Sequence, residues 1–279
     1  MAPSLPRSNF KSGLNSSRLV RLLADLASPA AENSGQAASA KQSFAEKLGL
    51  WLDWPDAIAL AAALNRDRAV NLANSAGAQA AVGPTASAVF EDYARVRTEL
   101  ASAMMADDSF VAAAVVTKPL LQSASAVAMT TACHHAPDHS AYRRAYRHHQ
   151  RTMAVVIAAL RNRVRDQLSS VSPALGQLAA LDASLDKALG AREHQLLGKV
   201  PALLEKHFER LRLADQAAFD QTEAPQLQAH SAHAASVLAE YGRVMQGVLL
   251  AELELRLQPI EGMLETMGYD TDEVTGRYE

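Results

Sequence analysis

The sequence predicts an all-α protein: long antiparallel helices packed as a bundle, with a projecting helical hairpin as one arrangement of them. Three observations carry this reading. Apolar residues make up 49% of the chain but aromatics only 5%; Ala and Leu dominate, and both lose little side-chain freedom in a helix. Thirteen Gly and eleven Pro in 279 residues leave room for long uninterrupted helices. Apolar residues recur at steps of three and four, with no useful period-two alternation and no fixed-period repeat.

The elements follow in order. Residues 1–14, rich in Ser, Pro and Asn, read as a mobile lead. Asn15-Ser16-Ser17 offers cap chemistry for a short helix carrying Leu19, Leu22, Leu23 and Leu26. A small-residue linker at 28–40 precedes a helix near 42–52 bearing Phe44, Leu48, Trp51 and Leu52. Pro55 ends that pattern or starts the next helix, 56–64. Residues 65–85 read as a long loop. A clear helix spans 86–106, with Phe90, Tyr93, Val96, Arg97 and Leu100 at helical spacing. Residues 109–131 are helical but broken at Lys118-Pro119, and 133–137 turn.

The most informative element runs from about 139 to 171. Tyr142, Tyr146, His149, Met153, Ile157, Leu160, Val164, Leu168 and Val171 form one stripe along a helix about 50 Å long. Its partners come next: 173–200, 201–219 and a last long helix at 229–267, which Pro259 must kink or split. Composition divides the chain into 1–35, an N-terminal segment with a short helix; 36–132, an Ala-rich helical part; and 133–279, a long-helix bundle or hairpin with an acidic tail.

Charge is unevenly spread. The total is −3, yet residues 1–137 sum to zero, 138–181 to +5 and 182–279 to −8. At about 100° per residue, Arg143, Arg144, Arg147, Arg151, Arg161 and Arg165 share one flank of the 139–171 helix, over about 33 Å. No carboxylate interrupts them. Arginine without lysine favours planar bidentate contact to phosphate or carboxylate. The face is a solvated or internally paired surface, a contact for an acidic protein, or a contact for a nucleic-acid backbone. On the last helix Glu240, Glu254, Glu261 and Glu265 cluster opposite the apolar side. They offer one internal counterpart for the arginines.

Cys133, His134, His135 and His139 lie within seven residues. Zinc takes such ligands, but no second pair stands at finger spacing and the adjacent histidines point apart, so no metal site is expected. His149 falls on the apolar stripe and reads as a buried, hydrogen-bonded core residue. His230 and His233 share a helix face without an acid or cysteine at ligand spacing. The chain has no Gly-rich phosphate loop, nucleophile elbow or His-Glu-x-x-His motif. Asp107-Asp108 ends a helix without a partner set. Neither an enzyme nor a cofactor is expected.

Trp51 and Trp54, the only tryptophans, flank a helix end. They are core anchors or a docking surface. A single cysteine fits a reducing compartment. No signal peptide and no comfortable membrane span are visible, so the expected location is the cytoplasm, without direct membrane insertion. Oligomeric state, homo-oligomer included, is left open.

Leu5-Pro6-Arg7-Ser8-Asn9-Phe10, the run from Ser16-Ser17-Arg18 to Leu23, the Trp51–Pro55 region and the Tyr142–Arg151 helix together resemble an uncharacterised bacterial family, a domain of unknown function. The resemblance implies genes beside those for a MotA-like membrane protein and an OmpA-like peptidoglycan-binding protein. It also implies a cytosolic accessory role similar to that in type III Zorya anti-phage systems. It implies no functional residue.

Overall fold

The computed structural model describes residues 17–27, 51–65, 84–111, 139–220, 227–269 and 271. The lead at 1–14, the 28–40 linker, most of the 42–52 helix, the 66–83 loop, the broken helix beyond 111 and the 133–137 turn lie outside the described residues, as does most of the acidic tail. Among the described residues there is no strand, and the protein is all-α.

The helices are α1 (Arg18–Ala27), α2 (Trp54–Asn65), α3 (Pro84–Met105), the single turn α4 (Asp108–Val111), α5 (His139–Val171), α6 (Pro173–Leu197), α7 (Val200–Asp220) and α8 (Leu227–Thr266). Pro55 starts a helix, sitting in the first turn of α2 where its missing N–H costs nothing. α8 runs unsplit through Pro259, whose missing N–H cannot serve the Leu255 carbonyl one turn back.

Apolar stripes fix the packing. On α5 every stripe residue from Tyr142 to Leu168 is buried, His149 included. α8 buries Tyr241, Met245, Val248, Leu249, Leu253, Leu257, Ile260 and Leu264 against it, and α3 adds Tyr93, Val96, Leu100 and Met104. Leu19 and Leu26 of α1 join the same core, so segments from all three compositional parts share one apolar interior.

Cross-helix pairs give the directions. Gln150 meets Leu197, Arg161 meets Asp186 and Arg165 meets Asp182, so α5 and α6 are an antiparallel hairpin turning at Ser172. Ser172 is extended and caps α6 by accepting the Leu175 N–H at 3.2 Å, with Pro173 beside it. At the next junction Gly198 keeps right-handed helical angles, φ −61° and ψ −16°, so the chain does not reverse. α7 continues the antiparallel register along α5, with Arg143 facing Glu205 and His139 facing Phe208. α6 and α7 thus act as two segments of one rod.

α8 then runs parallel to α5: His139 meets Tyr241 and Gln150 meets Glu252, each 102 residues on. α3 lies antiparallel to both, with Tyr93 at Glu261 and Gln246 at the Met104 and Met105 carbonyls. α2 lies along α6, where Gln177 donates to the Leu64 carbonyl at 3.0 Å. No helix among the described residues is long and apolar enough to cross a membrane.

Candidate functional site

The six arginines of the α5 flank separate into two groups. Arg161 and Arg165 are only 13% exposed at the side chain. Arg161 donates to Asp182 through Nε at 2.8 Å and Nη2 at 2.6 Å, and to Asp186 through Nη1 at 2.9 Å. Arg165 reaches the same two carboxylates at 2.7 and 2.8 Å. Burial alone would favour the neutral guanidine at Arg161, but Asp182 and Asp186 outweigh it and hold the charge more firmly than in water. This pair of arginines clamps the α5–α6 hairpin.

At the other end of α5, Arg143 is half-exposed with Glu205 at 3.8 Å. Arg144, Arg147 and Arg151 are exposed, and none has a carboxylate within ion-pair distance among the described residues. They span one face over about 10 Å. The glutamates of α8 are engaged elsewhere. Glu240 pairs with Arg243, Glu254 with Arg18, and Glu261 with Arg97 and Tyr93, while Glu265 accepts from Thr271. Glu261 sits so far inside that burial raises its pKa despite those donors.

Arg147 and Arg151 also border a cavity of about 420 Å³ where α5, the α6–α7 turn and α8 meet. Gln150, Val155, His194 and Arg256 line it with them. Its floor is braced from beneath by Glu252, which is fully buried. Glu252 accepts from the Tyr146 hydroxyl at 2.9 Å, Gln150 Nε2 at 3.0 Å, and Arg256 Nε and Nη2 at 3.1 and 2.9 Å. Arg256 Nη1 adds Glu193 at 3.2 Å. Burial, with the Glu252 charge adding to it, pushes the Tyr146 hydroxyl well above its ordinary pKa and keeps it a neutral donor. The sequence stripe missed this network because Glu252 sits on an inward face of α8 that otherwise reads apolar.

His149 is a core residue, as its place on the stripe implies: its Nε2 lies 2.7 Å from Asp107 Oδ2. Asp107 therefore has the partner its sequence context does not show, and its other oxygen accepts the Ser109 N–H at 2.8 Å. His139 stands apart, 2.8 Å from the Tyr241 hydroxyl. Cys133, His134 and His135 lie outside the described residues, as do the side chains of His230 and His233. No group of three or more potential metal ligands occurs among the described residues.

Trp51 is 43% and Trp54 80% exposed, and Ile58 one turn along α2 is 54% exposed. They lie on α2 and just before it, and none of them lines the arginine cavity.

No curated protein and no solved structure matches the chain. A family model described as "Protein of unknown function (DUF3348)" matches residues 5–268, so the chain belongs to that family.

Proposed function

We propose that this protein is a non-enzymatic helical adaptor that docks an acidic protein surface through Arg144, Arg147 and Arg151. The observation that supports this reading is the contrast along α5. Arg161 and Arg165 are internally neutralised, while these three guanidiniums face outward without a carboxylate among the described residues. They project from a helix whose opposite side is locked into the core, so their spacing is pre-set and little ordering is lost on contact. Three planar forks at i, i+3 and i+7 suit a row of Asp and Glu on a partner helix or strand.

The family resemblance suggests the partner: the cytosolic portion of a MotA-like and OmpA-like membrane complex in anti-phage defence, with this chain as its cytoplasmic accessory. Exposed Trp54 and Ile58 on α2 would add an apolar anchor at a second contact.

Native co-expression with those membrane proteins tests the reading. The wild-type chain is expected to co-purify, and Arg144→Glu with Arg147→Glu and Arg151→Glu to lose the partner while keeping its helical spectrum. Failure of the wild-type chain to co-purify overturns the reading. Salt-sensitive binding of duplex DNA, lost in the same variant, would replace it with a nucleic-acid contact.

A further inference from the structure

We infer that the cavity between α5, the α6–α7 turn and α8 is a binding site for a small organic anion, one carrying a phosphate or carboxylate head on an apolar body. The site goes beyond the docking face, with which it shares only Arg147 and Arg151.

Arg256 carries the argument. Its side chain is 12% exposed and is fixed from behind by Glu252 and Glu193. Those two carboxylates use one N–H each from Nε, Nη2 and Nη1. A guanidinium has five N–H groups, so two remain, and Arg256 borders the cavity. The fully buried Glu252 thus holds Arg256 in place at the cavity with two N–H groups that its carboxylate partners do not use. Arg147 and Arg151 border the same space one helical turn apart without carboxylates of their own among the described residues, and His194 adds an imidazole. Three arginines line the cavity, whereas the carboxylates behind its floor are already bonded. A bidentate oxyanion matches that donor set.

Size and lining set the rest of the ligand. About 420 Å³ is several times the space an inorganic phosphate needs. Val155, 71% exposed, forms an aliphatic wall with Ala154 and Leu197. A bare ion would leave that wall wet, and an apolar body attached to the anionic head would cover it.

Calorimetric titration of the full chain at low ionic strength with phenyl phosphate, benzoate and phenol tests the site. Phenyl phosphate or benzoate is expected to bind and phenol is not. Tighter binding of phenyl phosphate assigns a phosphate head, and tighter binding of benzoate a carboxylate. Arg147→Ser should weaken the better anion about tenfold, and adding Arg151→Ser by about as much again. Val155→Trp narrows the cavity without changing charge and should also weaken binding. All three positions are exposed, and thermal unfolding checks that the variants fold. Absence of binding by either anion at millimolar concentration overturns the proposal. So does binding that Val155→Trp leaves unchanged, which would mark surface charge alone. Arg144 lies outside the cavity, so Arg144→Glu is expected to weaken protein docking and leave anion binding intact; the two proposals therefore fail separately.

Discussion

Arg161 and Asp182 meet edge to edge, with Nε at 2.8 Å from Oδ2 and Nη2 at 2.6 Å from Oδ1. Their side chains are 13% and 11% exposed, so the fork is nearly dry and neither group can recover its water if the other is removed. Asp182→Ala leaves two largely buried guanidiniums with Asp186 as the one carboxylate they share. It is expected to cost about 2 kcal/mol in urea unfolding. Asp186, 39% exposed, recovers water readily, and Asp186→Ala should cost less than about 1 kcal/mol. Equal costs would mean that burial does not set the strength of this clamp.

Glu252 makes a sharper case. It is fully buried and joins Tyr146 and Gln150 of α5 to Arg256 on its own helix. Glu252→Ala strands the buried Tyr146 hydroxyl and takes from Arg256 the carboxylate behind it, leaving it only the half-exposed Glu193. The expected loss is about 3–5 kcal/mol, read from urea or thermal unfolding. Arg144→Ala, on an exposed face, should change stability by no more than about 0.5 kcal/mol.

How much of this was legible in the sequence follows from what each signal depends on. The α5 stripe needs only a 3.6-residue period, so eight of its nine residues, from Tyr142 to Leu168 with His149 among them, and the helix limits were readable; Val171, at the helix end, is only half-buried. The arginine face was readable as a face, but its division was not. Arg161 and Arg165 are four apart, and so are Asp182 and Asp186; the pairing emerges only once the hairpin turn is placed at Ser172 and the register follows. The α8 glutamates read as one internal counterpart for the α5 arginines because a helical wheel does not show that α1 and α3 cover α8 from that side, bringing Arg18 and Arg97 to Glu254 and Glu261. Asp107 found His149 across 42 residues, a separation no local pattern spans.

Gly242 is needed for a close approach. The single turn α4 crosses α8 there, and a β-carbon at that position would overlap the carbonyl oxygen of Phe110. That oxygen is backbone and cannot rotate aside. Gly242→Ala is expected to destabilise by about 1–3 kcal/mol through overpacking. Gly262, on the same helix, is exposed, and beyond its own helix backbone nothing lies within 4 Å of its would-be β-carbon. Gly262→Ala should stabilise by about 0.5–1 kcal/mol, because alanine has less backbone freedom to lose. Chemical denaturation of the two variants side by side separates the local clash from the general helix preference.

Asp107 links the start of α4 to α5 and gives the fold an acid-sensitive point. Burial alone would raise its pKa, but donation from Ser109 and the contact to His149 outweigh that and bring the carboxyl below its ordinary value of 3.8. A carboxyl with a lowered folded pKa adds stability that is fully present above the unfolded value and is lost as pH falls through the folded one. Asp107→Asn keeps the shape and an acceptor for the Ser109 N–H but removes the charge. At pH 7 the variant should be less stable by about 1 kcal/mol, the worth of a charge-assisted hydrogen bond over a neutral one. As pH falls below about 4, the wild-type carboxyl protonates and the gap should close. Urea midpoints of the two proteins at stepped pH measure it. A gap of constant size would show that the Asp107 charge adds nothing beyond the shape of the side chain.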